Sequence, residues 1–227
     1  MKYLFVVAHP DDEVLGGGAT IHTLVEKGEE VAVCILCGKA ESRSFRSSTK
    51  ELFEDMQKSQ QTLGVTAVKA GNFHDSNLNI YPHSDVVYFI EEAIIEFMPE
   101  TIITHHPSDL NSDHQITSKY CQEAARLSQR KTENIPMLKQ LLYMEVLSST
   151  DWMLDRTISS FSPNLFIEVG EESINKKISA LAKYRKVMRS FPHPRSKQII
   201  KGLAAYRGGQ SATKYAEAYE IAFRVGL

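Results

Sequence analysis

The sequence predicts an α/β protein with a doubly wound, mostly parallel sheet, helices on both of its faces and a C-terminal cap. Two nearly continuous apolar runs of strand length, 2–8 and 31–36, are typical of parallel strands that are buried on both sides. Between them, residues 18–27 carry apolar side chains at helical spacing, and Gly28 follows as a residue that commonly ends helices. This start therefore predicts a βαβ unit.

The alternation of helix and strand patterns continues to about residue 128. Helical periodicity and short apolar runs follow one another, separated by glycine or proline: helix 49–63, strand 66–69, helix 84–97, strand 101–104 and helix 114–127. Alternation of this kind favours right-handed crossovers in one sheet. Residues 1–128 are therefore expected to form a Rossmann-like core.

The pattern changes in residues 129–227. After a polar linker, apolar runs at 141–147 and 165–169 predict two further strands, and a helix is expected from Glu171 to about Met188. The remainder lacks the βαβ rhythm, and we interpret it as a helical cap that packs beside the sheet. Because 227 residues suit one large domain, residues 1–227 are expected to fold as a single domain.

Charge and composition exclude several functional classes. A formal net charge of -2 gives no electrostatic reason to bind nucleic acid. The apolar N-terminal run is followed at once by His-Pro-Asp-Asp, which fits neither a signal peptide nor a membrane span, so a cytoplasmic protein is expected. Three cysteines cannot form a disulfide framework, and Cys34 and Cys37 are interpreted as packing residues of a strand.

A dense group of polar residues directly follows the first predicted strand. A histidine and an aspartate three residues apart, His9 and Asp12, can converge on one ion, and imidazole with carboxylate suits Zn²⁺. Asp11 stays free of such an ion yet close to it, which is the position that a general base needs. The alternative is a loop whose aspartates only cap the next helix.

A second polar group, residues 105–114, follows a later strand of the predicted sheet and should open at the same edge. A catalytic zinc takes three protein ligands and leaves one position for water, so one histidine of this loop would complete the site. We choose His114, with Asp113 adjusting its surroundings or those of a substrate. A surface turn before a capped helix is the alternative.

Three consecutive glycines, Gly16, Gly17 and Gly18, raise the possibility of a dinucleotide-binding turn. Ile21 stands where that motif needs its third glycine, and the preceding loop is acidic, which repels phosphate. We therefore expect these glycines to allow tight packing of the first helix beneath the metal.

Together the two polar groups resemble the PIG-L/LmbE-like de-N-acetylase superfamily. Its hallmark Ala-His-Pro-Asp-Asp-Glu appears as residues 8–13, and a second signature runs from Thr104 to Thr117. Residues 192–196 and 216–219 are similar to the C-terminal pattern of one bacterial branch. The resemblance thus covers nearly the whole chain and supports the same fold.

The resemblance implies a catalytic centre and a reaction. Zinc would be held by His9, Asp12 and His114, with Asp11 as general base, for hydrolysis of the acetamide of an N-acetylated sugar to acetate and a free amine. Residues expected to contact substrate or its oxyanion are Asp75, His105, Asp109, Asp113, His193 and Arg195. A small-molecule or glycoconjugate N-acetyl sugar would be the partner, and relatives suggest a homo-oligomer.

One departure from the family pattern concerns substrate binding. Many relatives carry an arginine at the start of a helix where this chain reads Lys-Glu-Leu-Phe-Glu at 50–54, so Arg46 or Lys50 would have to replace it. Two other functions stay open at this point. One is a zinc amidohydrolase for a thiol-glycoside or non-sugar amide, and the other is a metal- and sugar-binding module without activity.

Overall fold

The computed structural model describes residues 1–39, 48–130, 135–155, 157 and 159–226. Within these ranges the chain forms one seven-stranded sheet with helices around it. The strands, β1 to β7 in chain order, are Lys2–Val7, Glu30–Ile35, Ala67–Ala70, Thr101–His105, Gln140–Met144, Leu165–Glu168 and Ala216–Arg224. The helices, α1 to α7, are Asp12–Glu26, Thr49–Leu63, His83–Phe97, Ser112–Ala124, Leu127–Arg130, Glu171–Leu181 and Lys197–Gln210. Two short 3₁₀ turns are Leu78–Ile80 and Thr150–Trp152.

The sheet has the strand order β3-β2-β1-β4-β5-β7-β6. The first five strands in this order pair in parallel, whereas β7 runs antiparallel to both β5 and β6. The doubly wound, mostly parallel sheet predicted from the sequence is confirmed. The direction of winding reverses between β1 and β4, and open sheets of this kind bind ligands at the carboxyl ends of the strands beside such a reversal.

Helices cover both faces of the sheet, and alternate residues of β1 divide between two apolar cores. Phe5 and Val7 pack with residues of α1, α2, α6 and α7, while Leu4 and Val6 pack with residues of α3 and α4. All four side chains are fully buried, as expected for a strand with both faces covered. None of the helices in the described ranges has the length and apolar character needed to cross a lipid bilayer.

The last third of the chain differs from the predicted cap. Strands β5 and β6 lie close to their expected positions, but β7 inserts between them and completes the sheet. Helix α6 ends at Leu181, short of the expected end near Met188. Charged residues such as Glu217 and Glu220 interrupt the apolar pattern of β7, which is why the sequence did not predict this strand.

Helix α1 starts at Asp12, six residues before the helical pattern predicted, and it is broken at Gly17, whose φ of -143° is not helical. A Cβ at Gly17 would lie 2.4 Å from Cε1 of Phe5, and one at Gly16 would lie 2.4 Å from Sδ of Met144. The prediction that these glycines allow tight packing is therefore confirmed. The break occurs one turn after the polar residues that follow β1.

Candidate metal centre

The two polar groups predicted from the sequence meet at the carboxyl ends of β1 and β4. His9 and Asp12 come from the turn after β1, and His114 comes from the first turn of α4. Asn111 caps α4, since its side-chain oxygen accepts a hydrogen bond of 2.9 Å from the backbone N–H of Asp113. The cap fixes the start of α4, and this start places His114 beside the turn after β1.

Three buried side-chain atoms lie at nearly equal distances from one another. Nδ1 of His9 is 3.1 Å from Oδ2 of Asp12 and 3.3 Å from Nε2 of His114, and those two atoms are 3.1 Å apart. Around a tetrahedral zinc with ligands at about 2.0–2.1 Å, any two ligand atoms are separated by about 3.3 Å. The triangle therefore has the size that such an ion requires.

Carboxylates lie behind both imidazoles. Nε2 of His9 is 3.1 Å from Oδ2 of Asp113 and 3.3 Å from Oδ1 of Asp75, and Nδ1 of His114 is 3.2 Å from Oδ1 of Asp109. Metal-binding histidines commonly donate their second ring N–H to a carboxylate, which fixes the tautomer and the ring orientation. Here the carboxylates orient both rings so that Nδ1 of His9 and Nε2 of His114 point toward Asp12.

The charges of this centre favour a cation. Burial alone lowers the pKa of His9, but Asp113, Asp12 and Asp75 together raise it well above its usual value. Likewise, burial lowers the pKa of His114, and Asp12 and Asp109 raise it to about 9. Because the carboxylates stabilise positive charge here, and because two imidazoles and one carboxylate are a typical zinc donor set, the residues fit a zinc ion.

Asp11 lies between His9 and Asp12 in sequence but outside the triangle. Its φ of 108° is in the left-handed region, which costs a non-glycine residue on the order of 1–3 kcal/mol. The turn compensates through the carbonyl of Asp11, which accepts a hydrogen bond of 2.8 Å from the N–H of Leu15. Its carboxylate Oδ2 is 3.4 Å from Nη1 of Arg195.

Glu13 holds the turn from beneath. Its fully buried carboxylate accepts hydrogen bonds from Nε2 of Gln60 at 2.5 Å, from the hydroxyl of Tyr184 at 2.9 Å and from the N–H of Asp11 at 3.2 Å. Burial, followed by the negative charge of Asp11, raises the pKa of Glu13 to about 8. Gln60 and Tyr184 come from α2 and the segment after α6, and no sequence signal connected them with the turn.

The three aspartates predicted to contact substrate lie behind the histidines instead. Asp75, one of these residues, is 1 % exposed and lies against His9. Asp113, expected beside His114, contacts His9 and accepts the backbone N–H groups of Ser76 at 2.6 Å and Leu78 at 3.2 Å. Sequence spacing could not show this, because helical geometry turns neighbours such as 113 and 114 to different sides.

Asp109 is likewise buried behind His114, and no feature of the sequence indicated its hydrogen-bond partners. Oδ2 of Asp109 accepts a hydrogen bond of 2.6 Å from the hydroxyl of Thr150, and Oδ1 accepts one from the hydroxyl of Ser149. Both donors lie at the 3₁₀ turn that follows β5, the neighbour of β4 in the sheet. A Ser-Thr pair in a turn has no sequence signature that links it to a distant aspartate.

Of the remaining predicted contacts, only Arg195 reaches Asp11 in the structure. His105 is fully buried, and its Nε2 accepts a hydrogen bond of 2.9 Å from the N–H of Ala8, so this atom cannot donate to an oxyanion as expected. Burial, followed by the positive charge of His114, lowers the pKa of His105 to about 3. His193 is exposed, and its Nδ1 accepts the N–H of Arg195 at 3.0 Å.

An open cavity of about 420 Å³ adjoins the turn at Pro10. Its lining includes apolar side chains of α2, among them Phe53, and the cation of Lys50 at the start of that helix. Arg46, the other residue considered as a replacement for the family arginine, lies outside the described residues. Lys50 is therefore placed at a cavity next to the candidate centre.

Two curated relatives are similar to this chain. One, from Escherichia coli strain K12, is described as the uncharacterized deacetylase YaiS. It is 27% identical over 187 residues, which are 80% of this chain and 89% of that protein. The other, from Bacillus cereus, is a probable N-acetyl-alpha-D-glucosaminyl L-malate deacetylase 2. It is 29% identical over 123 residues, which are 49% of this chain and 54% of that protein.

Solved structures share the fold at low sequence identity. The N,N'-diacetylchitobiose deacetylase of Pyrococcus horikoshii matches with a TM-score of 0.75 and 19% identity, over 97% of this chain and 83% of that one. The 4-carboxy-2-hydroxymuconate hydratase GalB of Pseudomonas putida matches with a TM-score of 0.76 and 20% identity, over 100% of this chain and 98% of that one. The conserved protein TT1542 of Thermus thermophilus matches with a TM-score of 0.79 and 21% identity, over 99% of this chain and 96% of that one.

The pattern of a known family extends over more than half of the chain. The family described as PIG-L, GlcNAc-PI de-N-acetylase, matches residues 4–125, a range that contains β1, β4 and the three residues of the triangle. On this match, the chain belongs to the PIG-L family of de-N-acetylases.

Proposed function

We propose that this chain is a zinc-dependent N-deacetylase that hydrolyses the acetamide of an N-acetylated sugar to acetate and a free amine. The observation that carries the proposal is the buried triangle of His9, Asp12 and His114, with Asp11 beside it. The Bacillus and Pyrococcus proteins, named for deacetylation of N-acetylated sugars, support the substrate class.

A zinc ion held by His9, Asp12 and His114 would supply Lewis acidity, which polarises a carbonyl and lowers the pKa of water toward about 7. The protein's own contribution is to orient the two imidazoles, so that Nδ1 of His9 and Nε2 of His114 face the ion. Asp113 and Asp75 do so for His9, and Asp109 does so for His114.

Asp11 is proposed as the general base. It accepts the proton of the attacking water and returns it to the nitrogen of the departing amine, so that the amine leaves neutral. Its strained backbone and the fixed turn beneath it hold the carboxylate in place without requiring it to bind the metal.

Arg195 is proposed to stabilise negative charge on the acetamide oxygen. Its guanidinium is within 3.4 Å of Asp11 and is held by a hydrogen bond of 2.8 Å from Nε to the hydroxyl of Ser148. The side chain remains 24% exposed, so it is accessible to a substrate. A positive donor fixed at the reaction centre is worth most where water is excluded.

The remainder of the substrate is proposed to occupy the cavity beside Pro10. Phe53 offers an apolar surface to the face of a sugar or to a linked apolar group, and Lys50 favours an anionic substituent. We therefore expect a conjugate of N-acetylglucosamine to be a better substrate than the free sugar.

The test is acetate release from a panel of N-acetylglucosamine conjugates that differ in the linked group, with non-sugar acetamides alongside. Metal-free enzyme, prepared with a chelator, is compared with the same enzyme after zinc is restored. The proposal predicts release from at least one sugar conjugate with zinc and none without it. Release from non-sugar amides alone would overturn the substrate class, and no release from any compound would overturn the activity.

A further inference from the structure

Metal-binding atoms also surround the opposite side of the His9 ring. Nε2 of His9 lies 3.1 Å from Oδ2 of Asp113 and 3.3 Å from Oδ1 of Asp75. A ligand atom of Cys37 lies within 4.8 Å of those of His9 and Asp113. All four residues are at most 3 % exposed. They follow four neighbouring strands, β1 to β4, so the sheet itself brings them together.

We propose that His9, Cys37 and Asp113 form a second, inhibitory metal site that takes thiophilic divalent ions such as Cd²⁺. The site shares the ring of His9 with the proposed catalytic triangle, through Nε2 instead of Nδ1. Its inhibitory effect rests on the proposed function, whereas the binding itself does not.

The donor set explains the choice of ion. The distance of 3.1 Å between Nε2 of His9 and Oδ2 of Asp113 is close to the ligand separation of a tetrahedral site, about 3.3 Å. A thiolate adds a soft ligand, which selects zinc and similar thiophilic ions over magnesium or calcium. Cys37 is the cysteine that takes part, because Cys34 and Cys121 occur in none of the candidate metal clusters of the described residues.

An ion in this place requires the Cys37 sulfur as a thiolate. Burial raises the pKa of this thiol to about 12, but a coordinating thiol loses its proton outright. The ion therefore displaces the thiol proton, and any proton on Nε2 of His9, to solvent. One thiolate and one carboxylate then balance the charge of the ion.

Occupation of this site removes what orients His9. The contacts of Asp113 and Asp75 with Nε2 direct Nδ1 toward the triangle, and an ion on Nε2 replaces both. The ring must then bind two cations or turn away from one of them. Affinity of the triangle for its own ion falls in either case, and inhibition follows.

The experiment titrates metal-free full-length protein with Cd²⁺ and follows two quantities, the ultraviolet charge-transfer absorbance of cadmium bound to thiolate and the number of ions bound per chain. Cys37→Ser is compared with Cys34→Ser, a matched control that removes a buried thiol from the same segment. Thermal unfolding verifies that each variant is folded, and Cys37→Ala serves if the serine variant is not.

Wild-type protein and Cys34→Ser are expected to bind two ions per chain and to show the thiolate band. The Cys37 variant is expected to bind one ion and to lose the band. A band that persists without Cys37, or no band in the wild type, would overturn the second site. Neither readout needs turnover, so a failure here is distinct from a failure of the deacetylase proposal.

Discussion

Replacement of Asp109 by asparagine removes the negative charge behind His114 while keeping the shape of the side chain. The carboxylate is fully buried, lies 3.2 Å from Nδ1 of His114 and accepts hydrogen bonds from the backbone N–H of Asn111 at 2.8 Å and from Thr150 at 2.6 Å. Interactions with His114 hold the pKa of Asp109 at about 2 despite its burial, so the group is charged at neutral pH.

The size of the effect follows from the role of this carboxylate. Loss of a partner behind a metal-binding histidine typically weakens metal affinity by about 10- to 100-fold. That range corresponds to about 1.4–2.7 kcal/mol of binding free energy. We expect Asp109→Asn to fall within it, because Nδ1 of His114 loses the charge that fixes its proton while Nε2 keeps its position.

The assay is a competition titration of metal-free protein with zinc and a chelator of known affinity. Asp85→Asn, an exposed aspartate in the first turn of α3, is the control for loss of one negative charge. Unfolding of the metal-free variants in urea separates lost stability from lost affinity. A folded Asp109→Asn protein with a zinc affinity within about twofold of the wild type would refute the reasoning.

Three further predictions concern the support of the centre. Gly17→Ala places a methyl group against Phe5 and should destabilise the fold by about 1–3 kcal/mol in urea unfolding, whereas Gly170→Ala, with open space at its Cβ, should not. Lys177→Met leaves the buried carboxylate of Glu217 without its ion-pair partner and should lower the free energy of unfolding by about 3–5 kcal/mol. The double variant Lys177→Met with Glu217→Gln should lose less unfolding free energy than the two single variants together; additive losses would show that the pair is not coupled. The thiols of Cys37 and Cys121, whose pKa values burial raises to about 12, stay protonated at pH 8, so iodoacetamide should label no cysteine before unfolding; rapid labelling of native protein would contradict this.

The broken first helix shows why the ion pair of Lys177 and Glu217 matters. The carbonyl of Leu15 accepts a hydrogen bond of 2.8 Å from Nζ of Lys177, and the N–H of Thr20 donates one of 2.6 Å to Glu217. These side chains, from α6 and β7, satisfy backbone groups on either side of Gly17, where helical hydrogen bonding fails. The C-terminal part of the chain thus supports the turn that carries Asp12.

Local pattern was sufficient to predict much of the fold and the grouping of His9, Asp12 and His114. Continuous apolar runs identify buried parallel strands such as β1, and polar residues immediately after them identify the edge at which a ligand binds. His9, Asp12 and His114 come from two such points, and the structure brings their ligand atoms together.

Long-range pairing decides what the pattern could not predict. Strand β7 carries the buried charge of Glu217, which is compatible with a strand only because Lys177 reaches it from another element. The positions of Asp75 and Asp113 depend on how the loops after β3 and β4 pack against His9, and one residue of difference on a helix changes the side that a group faces. Such contacts follow from tertiary structure and have no local signature.

The most direct test of the central claim measures zinc content and acetate release together for Asp11→Asn. Asp11 lies outside the ligand triangle, so the variant should retain one zinc per chain with unchanged affinity. Loss of a general base should lower turnover by about 10²- to 10⁴-fold, while Asp85→Asn keeps wild-type turnover. A variant that retains zinc and releases acetate near the wild-type rate would contradict the assignment of Asp11 and the mechanism built on it.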